Sequence, residues 1–188
     1  TRAGAGSREM RDQNDEVGFA AWWRVVFYEL PGDPVTRQLT LFDGLDYVSS
    51  ALQEVQVTLS GFLVPSGGWD AKLGVVTYEG DHAWPGDELW FEGYTLPAAP
   101  PAAASQTRLS DAQNPATNFF NGTRSWLGAP VSVAGDLPQL TGGPASMSSF
   151  DLDVVDLKAA GAIGPGNDAA VIRATSNQDL FALGGFVT

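Results

Sequence analysis

Hydrophobic and polar residues alternate with a period of two along much of this chain. In the stretch VQVTLS at 55–60, Val55, Val57 and Leu59 fall on one face and polar residues on the other, as in a half-buried β-strand. Residues 38–41 repeat the pattern over a shorter length. The alternation predicts strands at both places and also at 71–78, 88–94, 118–126, 129–133, 147–155, 169–174 and 180–187.

The segment 19–30, FAAWWRVVFYEL, is more apolar than the other candidates. In an extended chain, Trp23, Val25 and Phe27 would face one way, and Arg24 and Tyr28 the other. Continuous apolar runs of this kind are typical of strands covered on both faces. The pattern therefore predicts a central strand at 19–30.

Turn-forming residues separate the predicted strands. The chain has 22 glycines and 12 prolines, which leave room for little more than short helical turns, predicted at 47–54 and 155–162. Many short strands with such turns between them indicate a sandwich or a barrel. We expect an all-β fold, specifically an antiparallel, jelly-roll-like β-sandwich with at most short helical turns.

Two segments depart from the strand pattern. Residues 1–16 form a polar N-terminal arm, and residues 96–106, LPAAPPAAASQ, are rich in proline and alanine. The second segment could be a linker between two domains, but the part that follows it has few strong strands. We therefore expect a single β-sandwich domain at 17–188 that carries a Pro/Ala-rich loop at 96–106.

Composition excludes several classes of function. The net charge is −12, which opposes binding to nucleic acid or to an anionic membrane surface. The chain has no cysteine, and its one histidine, His82, is too few for a histidine-based zinc site. No run approaches the ~20 apolar residues of a membrane helix. We expect a protein that is not an enzyme, with glycoside hydrolysis by a carboxylate pair as the alternative.

Acidic residues cluster at two places and could bind a hard cation. Asp151 and Asp153 lie in the strand predicted at 147–155 and Asp156 directly follows it, and Glu79, Asp81 and Asp87 lie near flexible turns. Oxygen ligands of this kind are those that calcium prefers, so we expect calcium as the cofactor, if there is one. The alternative is that Asp151 and Asp153 form the solvent face of an amphipathic strand whose other face carries Phe150, Leu152 and Val154.

Several short phrases stand in order along the chain, at 25–29, 41–44, 59–62, 73–81, 86–89, 114–115, 118–121 and 150–153 with Asp156. Together they resemble a family of β-rich domains, without an established activity, found in large secreted and surface-anchored bacterial proteins. The resemblance implies an extracellular β-module and supplies no catalytic residue.

These observations favour a secreted or cell-surface structural or adhesive module, and within that class a self-associating filament subunit that uses its terminal segments. We expect homo-oligomers or filaments, a polysaccharide or cell-surface partner, no nucleic acid and no membrane insertion. Deletion of residues 1–16 should leave a folded monomer that no longer assembles. The alternative function is carbohydrate binding through exposed tryptophans from the set Trp22, Trp69, Trp84, Trp90 and Trp126.

Overall fold

The structure is a computed structural model that describes residues 22–51 and 54–188. The predicted arm at 1–16 lies outside the described residues, as do the first three residues of the strand predicted at 19–30. In the described part of the chain, no helix is long and apolar enough to cross a membrane.

Nearly all the regular structure is β-strand. A single turn of 3₁₀ helix at Ala103–Ser105 accompanies the strands in the described ranges. The strands are β1 (Leu41–Ser49), β2 (Val55–Ser60), β3 (Lys72–Tyr78), β4 (Glu88–Tyr94), β5 (Thr107–Arg108), β6 (Arg124–Trp126), β7 (Ala129–Pro130), β8 (Phe150–Asp156), β9 (Ala169–Thr175) and β10 (Leu180–Val187).

The strands form two mostly antiparallel sheets that make a β-sandwich, which confirms the predicted fold class. One sheet has the order β1-β10-β3-β8-β6-β7 and the other β2-β9-β4-β5. When the small β6–β7 hairpin is set aside, eight strands remain. Renumbered 1 to 8 along the chain, they have the order 1-8-3-6 in one sheet and 2-7-4-5 in the other. This is the strand order of a jelly roll, which is shared by proteins of unrelated function.

Inward-facing side chains from both sheets form one hydrophobic core. Leu73 and Val75 from β3 meet Phe91 from β4 and Ile172 from β9 in the same cluster. Every second residue of β3 faces the core, and these residues, Leu73, Val75 and Thr77, are buried, as the alternation in its sequence requires. The aromatic residues Phe119, Phe120 and Phe181 fill the end of this core, with ring centroids 5.2 and 4.7 Å apart.

The prediction of a strand at 19–30 is wrong for the described residues 22–30. Residues 22–30 adopt no regular secondary structure, and most of their side chains are exposed. Alternation gives a segment the propensity for a strand, but a strand also needs a neighbour for its N–H and C=O groups. Within the described residues this segment has no such neighbour.

Other differences are smaller and occur where loops replace strand ends. Of the strand predicted at 118–126 only Arg124–Trp126 is formed, and the one at 129–133 is limited to Ala129–Pro130. The helical turn predicted at 47–54 is wrong at residues 47–49, which belong to β1. The one predicted at 155–162 is a turn at 157–161 that follows β8.

Candidate functional site

The aspartates of β8 point into the protein rather than into solvent. Asp151 and Asp153 are both fully buried, whereas Phe150, Leu152 and Val154 on the other face are only partly covered. The predicted division of β8 into two faces is thus confirmed, but the interpretation of the acidic face as the solvent face is wrong. These carboxylates lie against the segment 111–125, which supplies their hydrogen-bond partners.

Asp151 holds a loop in place. Its Oδ1 atom accepts hydrogen bonds from the backbone N–H groups of Asn121, Gly122 and Thr123 at 3.0, 2.9 and 3.0 Å. Its Oδ2 atom accepts a fourth from the hydroxyl of Thr77 on β3, at 3.2 Å. Consecutive N–H groups that converge on one oxygen form an anion-binding concavity, and here the anion is part of the protein.

Asp153 belongs to the same buried network. Its Oδ1 atom accepts a hydrogen bond of 2.6 Å from the hydroxyl of Ser125. The hydroxyl of Thr123 lies 3.2 Å from both Asp153 oxygens and 3.3 Å from Asp151 Oδ1. That hydroxyl carries one hydrogen and also lies 2.8 Å from Asn114 Oδ1, so it can satisfy one of these acceptors at a time.

Burial raises the pKa of both carboxyls in this network. The pKa of Asp153 rises to about 7 because burial disfavours the charged form. The pKa of Asp151 lies well above its usual value because of burial and of repulsion from Asp153. We therefore expect the pair to hold a proton near neutral pH, which supplies a donor that the crowded acceptors need.

Asp156, the third acid predicted to share this site, lies elsewhere. It occupies the opposite face of β8 at the end of the strand, and its Oδ1 atom accepts a hydrogen bond from the backbone N–H of Ala159 at 2.9 Å. This contact begins the turn at 157–161. The structure brings Asp151 and Asp153 together and leaves Asp156 apart from them.

Asp87, directly before β4, is a third buried acid, and its surroundings are very different. The residue has no exposed surface, and neither carboxylate oxygen has a hydrogen-bond partner among the described residues. Burial raises its pKa to about 7 against an opposing contribution from the Ser176 hydroxyl, and the nearby charges of Asp179 and Asp81 raise it further. The charged groups that act on Asp87 are thus acids like itself.

The three loops around Asp87 meet at one end of the sandwich. The backbone N–H of Phe119 donates to the carbonyl oxygen of Asp87 at 2.8 Å, and that of Asn177 donates to the carbonyl oxygen of Gly86 at 3.3 Å. The side-chain amide of Asn118 donates to the carbonyl oxygens of Asp81 and His82. Loop 79–87 therefore contacts both loop 111–123 and loop 176–179.

Further oxygen atoms in these loops also lack partners. Asn118 is buried and its Oδ1 atom has no hydrogen-bond partner in the described part of the chain, and the same holds for Oδ2 of Asp179. Burial raises the pKa of Asp179 as well, with a further contribution from Asp81. We call Asp81, Asp87, Asn118 and Asp179 the three-loop site.

The other acids predicted near this site have distinct places. Asp81 Oδ1 accepts a hydrogen bond of 2.6 Å from the Ser149 hydroxyl. Glu79 lies in the bend after β3 and has a left-handed backbone with φ of 65°. In residues 22–51 and 54–188, no three acidic or histidine side chains are arranged closely enough to hold a metal ion. The calcium expected from sequence stays a prediction.

The surface of the N-terminal part is apolar over an unusual length. Side chains of Trp22, Val26, Phe27, Tyr28 and Leu30 are 46%, 58%, 52%, 75% and 60% exposed. Apolar exposure continues along the chain to β1. Further exposed apolar side chains there are Val35, Leu39, Leu41, Leu45 and Tyr47.

This apolar segment contacts β10, the neighbour of the edge strand β1. Strand β1 ends one sheet and β2 ends the other, and the two strands are neighbours on the same side of the sandwich. The ring of Trp23 rests against Gly185 of β10, where an added Cβ atom would lie 2.9 Å from the indole. The segment is thus placed next to the strand that pairs with β1.

The tryptophans fall into two groups. Trp69 has Lys158 over its ring at 4.5 Å, and Trp90 has Arg173 at 4.5 Å. Trp84 and Trp126 are 58% and 52% exposed. Of the rings proposed for sugar stacking, these two and Trp22 offer free surface.

Sequence reasoning missed Asp179 and Asn118. Asp179 lies between the strands predicted at 169–174 and 180–187, and Asn118 begins the strand predicted at 118–126. A polar side chain that ends up buried without a partner leaves no trace in a hydropathy pattern, so the sequence contained no signal for either residue.

Comparison of the chain with protein-family models, with curated proteins and with solved structures finds no match.

Proposed function

We propose that this protein is an extracellular structural module that assembles with copies of itself by strand addition. The observation that carries the proposal is the segment 22–30, which has the sequence of a strand, exposed apolar side chains and no regular structure. Adding a strand to an open edge satisfies backbone hydrogen bonds and buries alternate side chains at the same time.

The donor in this arrangement is residues 22–30 of one copy. Exposed apolar surface of this extent is rare on proteins that work as monomers and marks interaction surfaces. Residues Trp23, Val25 and Phe27 have the spacing to enter one face of a sheet. Burying a side chain of this size contributes about 1.5–3 kcal/mol, so a few of them suffice for a specific contact.

The acceptor is the open edge formed by β1 in another copy. No strand of the described chain pairs with the outer edge of β1, and its side chains Leu41, Leu45 and Tyr47 are exposed and apolar. A donor-to-edge contact is head-to-tail, and such contacts form open polymers unless the rotation closes a ring.

A proline in the donor tests the proposal. Val26→Pro removes a backbone N–H and is not tolerated inside a sheet, yet Val26 is exposed and outside regular structure in the monomer. We expect wild-type protein to form sedimentable polymers as its concentration rises, and Val26→Pro to remain a monomer with an unchanged melting temperature. Val26→Thr keeps the N–H and the branched side chain and serves as the matched control.

A charge on the acceptor tests the other half of the contact. Tyr47→Lys places a charge on the edge strand at a position that is 54% exposed and should weaken polymerisation without unfolding the protein. Wild-type protein that stays monomeric at high concentration in sedimentation velocity, or Val26→Pro that polymerises like wild type, would overturn the proposal.

Carbohydrate binding is a second candidate, favoured by the free rings of Trp84 and Trp126. Exposed aromatic rings beside acidic loops suit stacking on sugars. Titration of polysaccharides against tryptophan fluorescence separates the two functions. Saturable quenching that is lost in Trp84→Ala or Trp126→Ala supports binding, and no quenching in the wild type excludes it for the glycans used.

A further inference from the structure

We propose that the three-loop site binds a divalent hard cation, Ca²⁺ above all, through Asp87, Asp179 and Asn118. The acids of a surface loop are usually solvated and need no ligand. Here the Asp87 carboxylate has no exposed surface and has been removed from water without a partner, which is costly. The inference does not depend on self-assembly.

The unpartnered atoms are concentrated at this place. Buried side-chain oxygens without a hydrogen-bond partner, counted over the described residues, include both oxygens of Asp87, Oδ1 of Asn118 and Oδ2 of Asp179. All four are acceptors, and the three residues come from three different loops. The Ser176 hydroxyl, which acts on Asp87, donates to the backbone carbonyl oxygen of Asp179 at 2.9 Å. Buried acceptors that lack a donor of their own can be satisfied by a cation.

The charged neighbours of Asp87 at the site are all negative. The charged neighbours that act on Asp87 are Asp179 and Asp81, both acids. The Asp81 carboxylate is engaged by the Ser149 hydroxyl, so it adds negative potential without being needed as a ligand. A bound cation of charge two would neutralise Asp87 and Asp179 together.

The ligand set suits calcium better than transition metals. Two carboxylates and an amide oxygen are hard ligands, and Ca²⁺ binds six to eight oxygens at about 2.3–2.6 Å with flexible geometry. Water and backbone carbonyl oxygens can fill the remaining positions. His82 in the same loop is exposed, and its backbone carbonyl oxygen accepts a hydrogen bond from the side-chain amide of Asn118. Among the described residues no three acidic or histidine side chains are close enough to hold a metal ion. The proposed site therefore has two acids, and neutral oxygens complete its coordination.

Binding at this place would join three loops. Asp87 leads into β4, Asp179 leads into β10 and Asn118 precedes the buried Phe119. A ligand that binds the folded state and not the unfolded chain raises stability by mass action. Calcium at the millimolar level, where extracellular modules bind it, should therefore raise the melting temperature.

Calorimetry and thermal unfolding with CaCl₂ test the inference on the full chain. We expect saturable heat and a higher melting temperature with CaCl₂ than with EDTA. Asp87→Asn and Asp179→Asn should each weaken Ca²⁺ binding by at least about tenfold, because affinity depends on ligand charge. Asp87→Asn keeps the size of the side chain and should melt higher than wild type in EDTA at pH 8, which shows that it folds.

Asp70→Asn is the matched control, because it removes the same charge from a side chain that is 71% exposed. It should bind Ca²⁺ as wild type does. Terbium luminescence excited through tryptophan gives an independent readout, as Trp84 lies in the same loop as Asp87. The inference is wrong if wild-type protein shows neither heat nor a melting shift with millimolar CaCl₂, or if Asp87→Asn and Asp179→Asn respond to calcium as strongly as Asp70→Asn.

Discussion

Two groups of buried acids in this protein differ in how their oxygen atoms are satisfied. Asp151 accepts four hydrogen bonds from backbone and side-chain donors within 3.2 Å, and Asp153 shares that network. Asp87 also has no exposed surface, but its oxygens have no hydrogen-bond partner of their own among the described residues, and the nearby Ser176 hydroxyl donates to Asp179 instead. Burial raises the pKa of Asp87 and of Asp153 to about 7 in each case.

The difference shows that burial of a carboxylate does not by itself reveal its role. Donors surround the first group, so its carboxylates shape the fold by fixing the loop at 121–123. The second group consists of acceptors that face other acids, so its acids favour a ligand or a proton from outside. Removing an acid should therefore destabilise the protein in the first group and relieve repulsion in the second.

The largest effect is expected from Asp151→Ala. The change leaves three buried backbone N–H groups and the Thr77 hydroxyl without their acceptor, at about 1–3 kcal/mol for each unsatisfied group. We expect the free energy of unfolding to fall by about 3–5 kcal/mol or more in urea titrations.

Asp156→Ala is the control for that change, on the opposite face of the same strand. It removes one exposed contact to the Ala159 N–H and should cost about 1 kcal/mol. A loss of equal size in both variants would mean that the network around Asp151 has no special role.

The next effect concerns pH. Because the pKa of Asp87 in the folded state is about 7 and that of an unfolded aspartate is about 3.9, the folded state binds more protons between these values. Stability is then greatest near or below pH 4 for this group and is lost as the pH rises through 7.

Urea unfolding in EDTA at pH 5 and pH 8 measures this loss. Between pH 5 and pH 8 the difference in pKa gives up to about 3 kcal/mol for one group, and Asp153 adds to it in the same direction. Asp87→Asn should reduce the loss, since the amide does not ionise. Equal stability of the wild type at the two pH values would contradict the raised pKa.

The smallest effect is expected from Gly80→Ala, next to both groups. An added Cβ would lie 2.3 Å from Oδ2 of Asp151 and 2.9 Å from Cβ of Phe120, so the core must shift, at about 1–3 kcal/mol. Gly67→Ala is the control because its Cβ would meet nothing within 4 Å. Chemical unfolding of the two variants should show a loss for Gly80→Ala alone.

Much of the fold could be predicted from sequence because alternation reports directly on which residues face a core. β2, β4 and β10 lie where their patterns placed them, and β3, β8 and β9 lie within a few residues of their predicted ends. Prediction failed at 22–30 and at 118–123, where apolar residues occur without strand pairing. The strand predicted at 38–41 was also misplaced, because the strand formed there is β1 at Leu41–Ser49. Hydropathy measures preference for burial, and pairing depends on which edge is within reach.

The candidate site could be predicted only in part. Asp81 and Asp87 were identified as acids near turns, but their union with Asp179 and Asn118 joins segments that are about 30 to 100 residues apart in the chain and requires the folded loops. In the same way, the sequence placed Asp151 and Asp153 on one face of a strand but did not reveal which face was inside.

By itself, then, the sequence determined the class of the fold, the positions of most strands and the chemistry present, because these follow from local periodicity and composition. Tertiary structure alone decided which acids are partnered, which are left without donors and which apolar segment stays outside the sheets. Those properties depend on contacts between distant parts of the chain, and the hydrogen-bond donors that satisfy a buried oxygen are fixed only when the loops close around it.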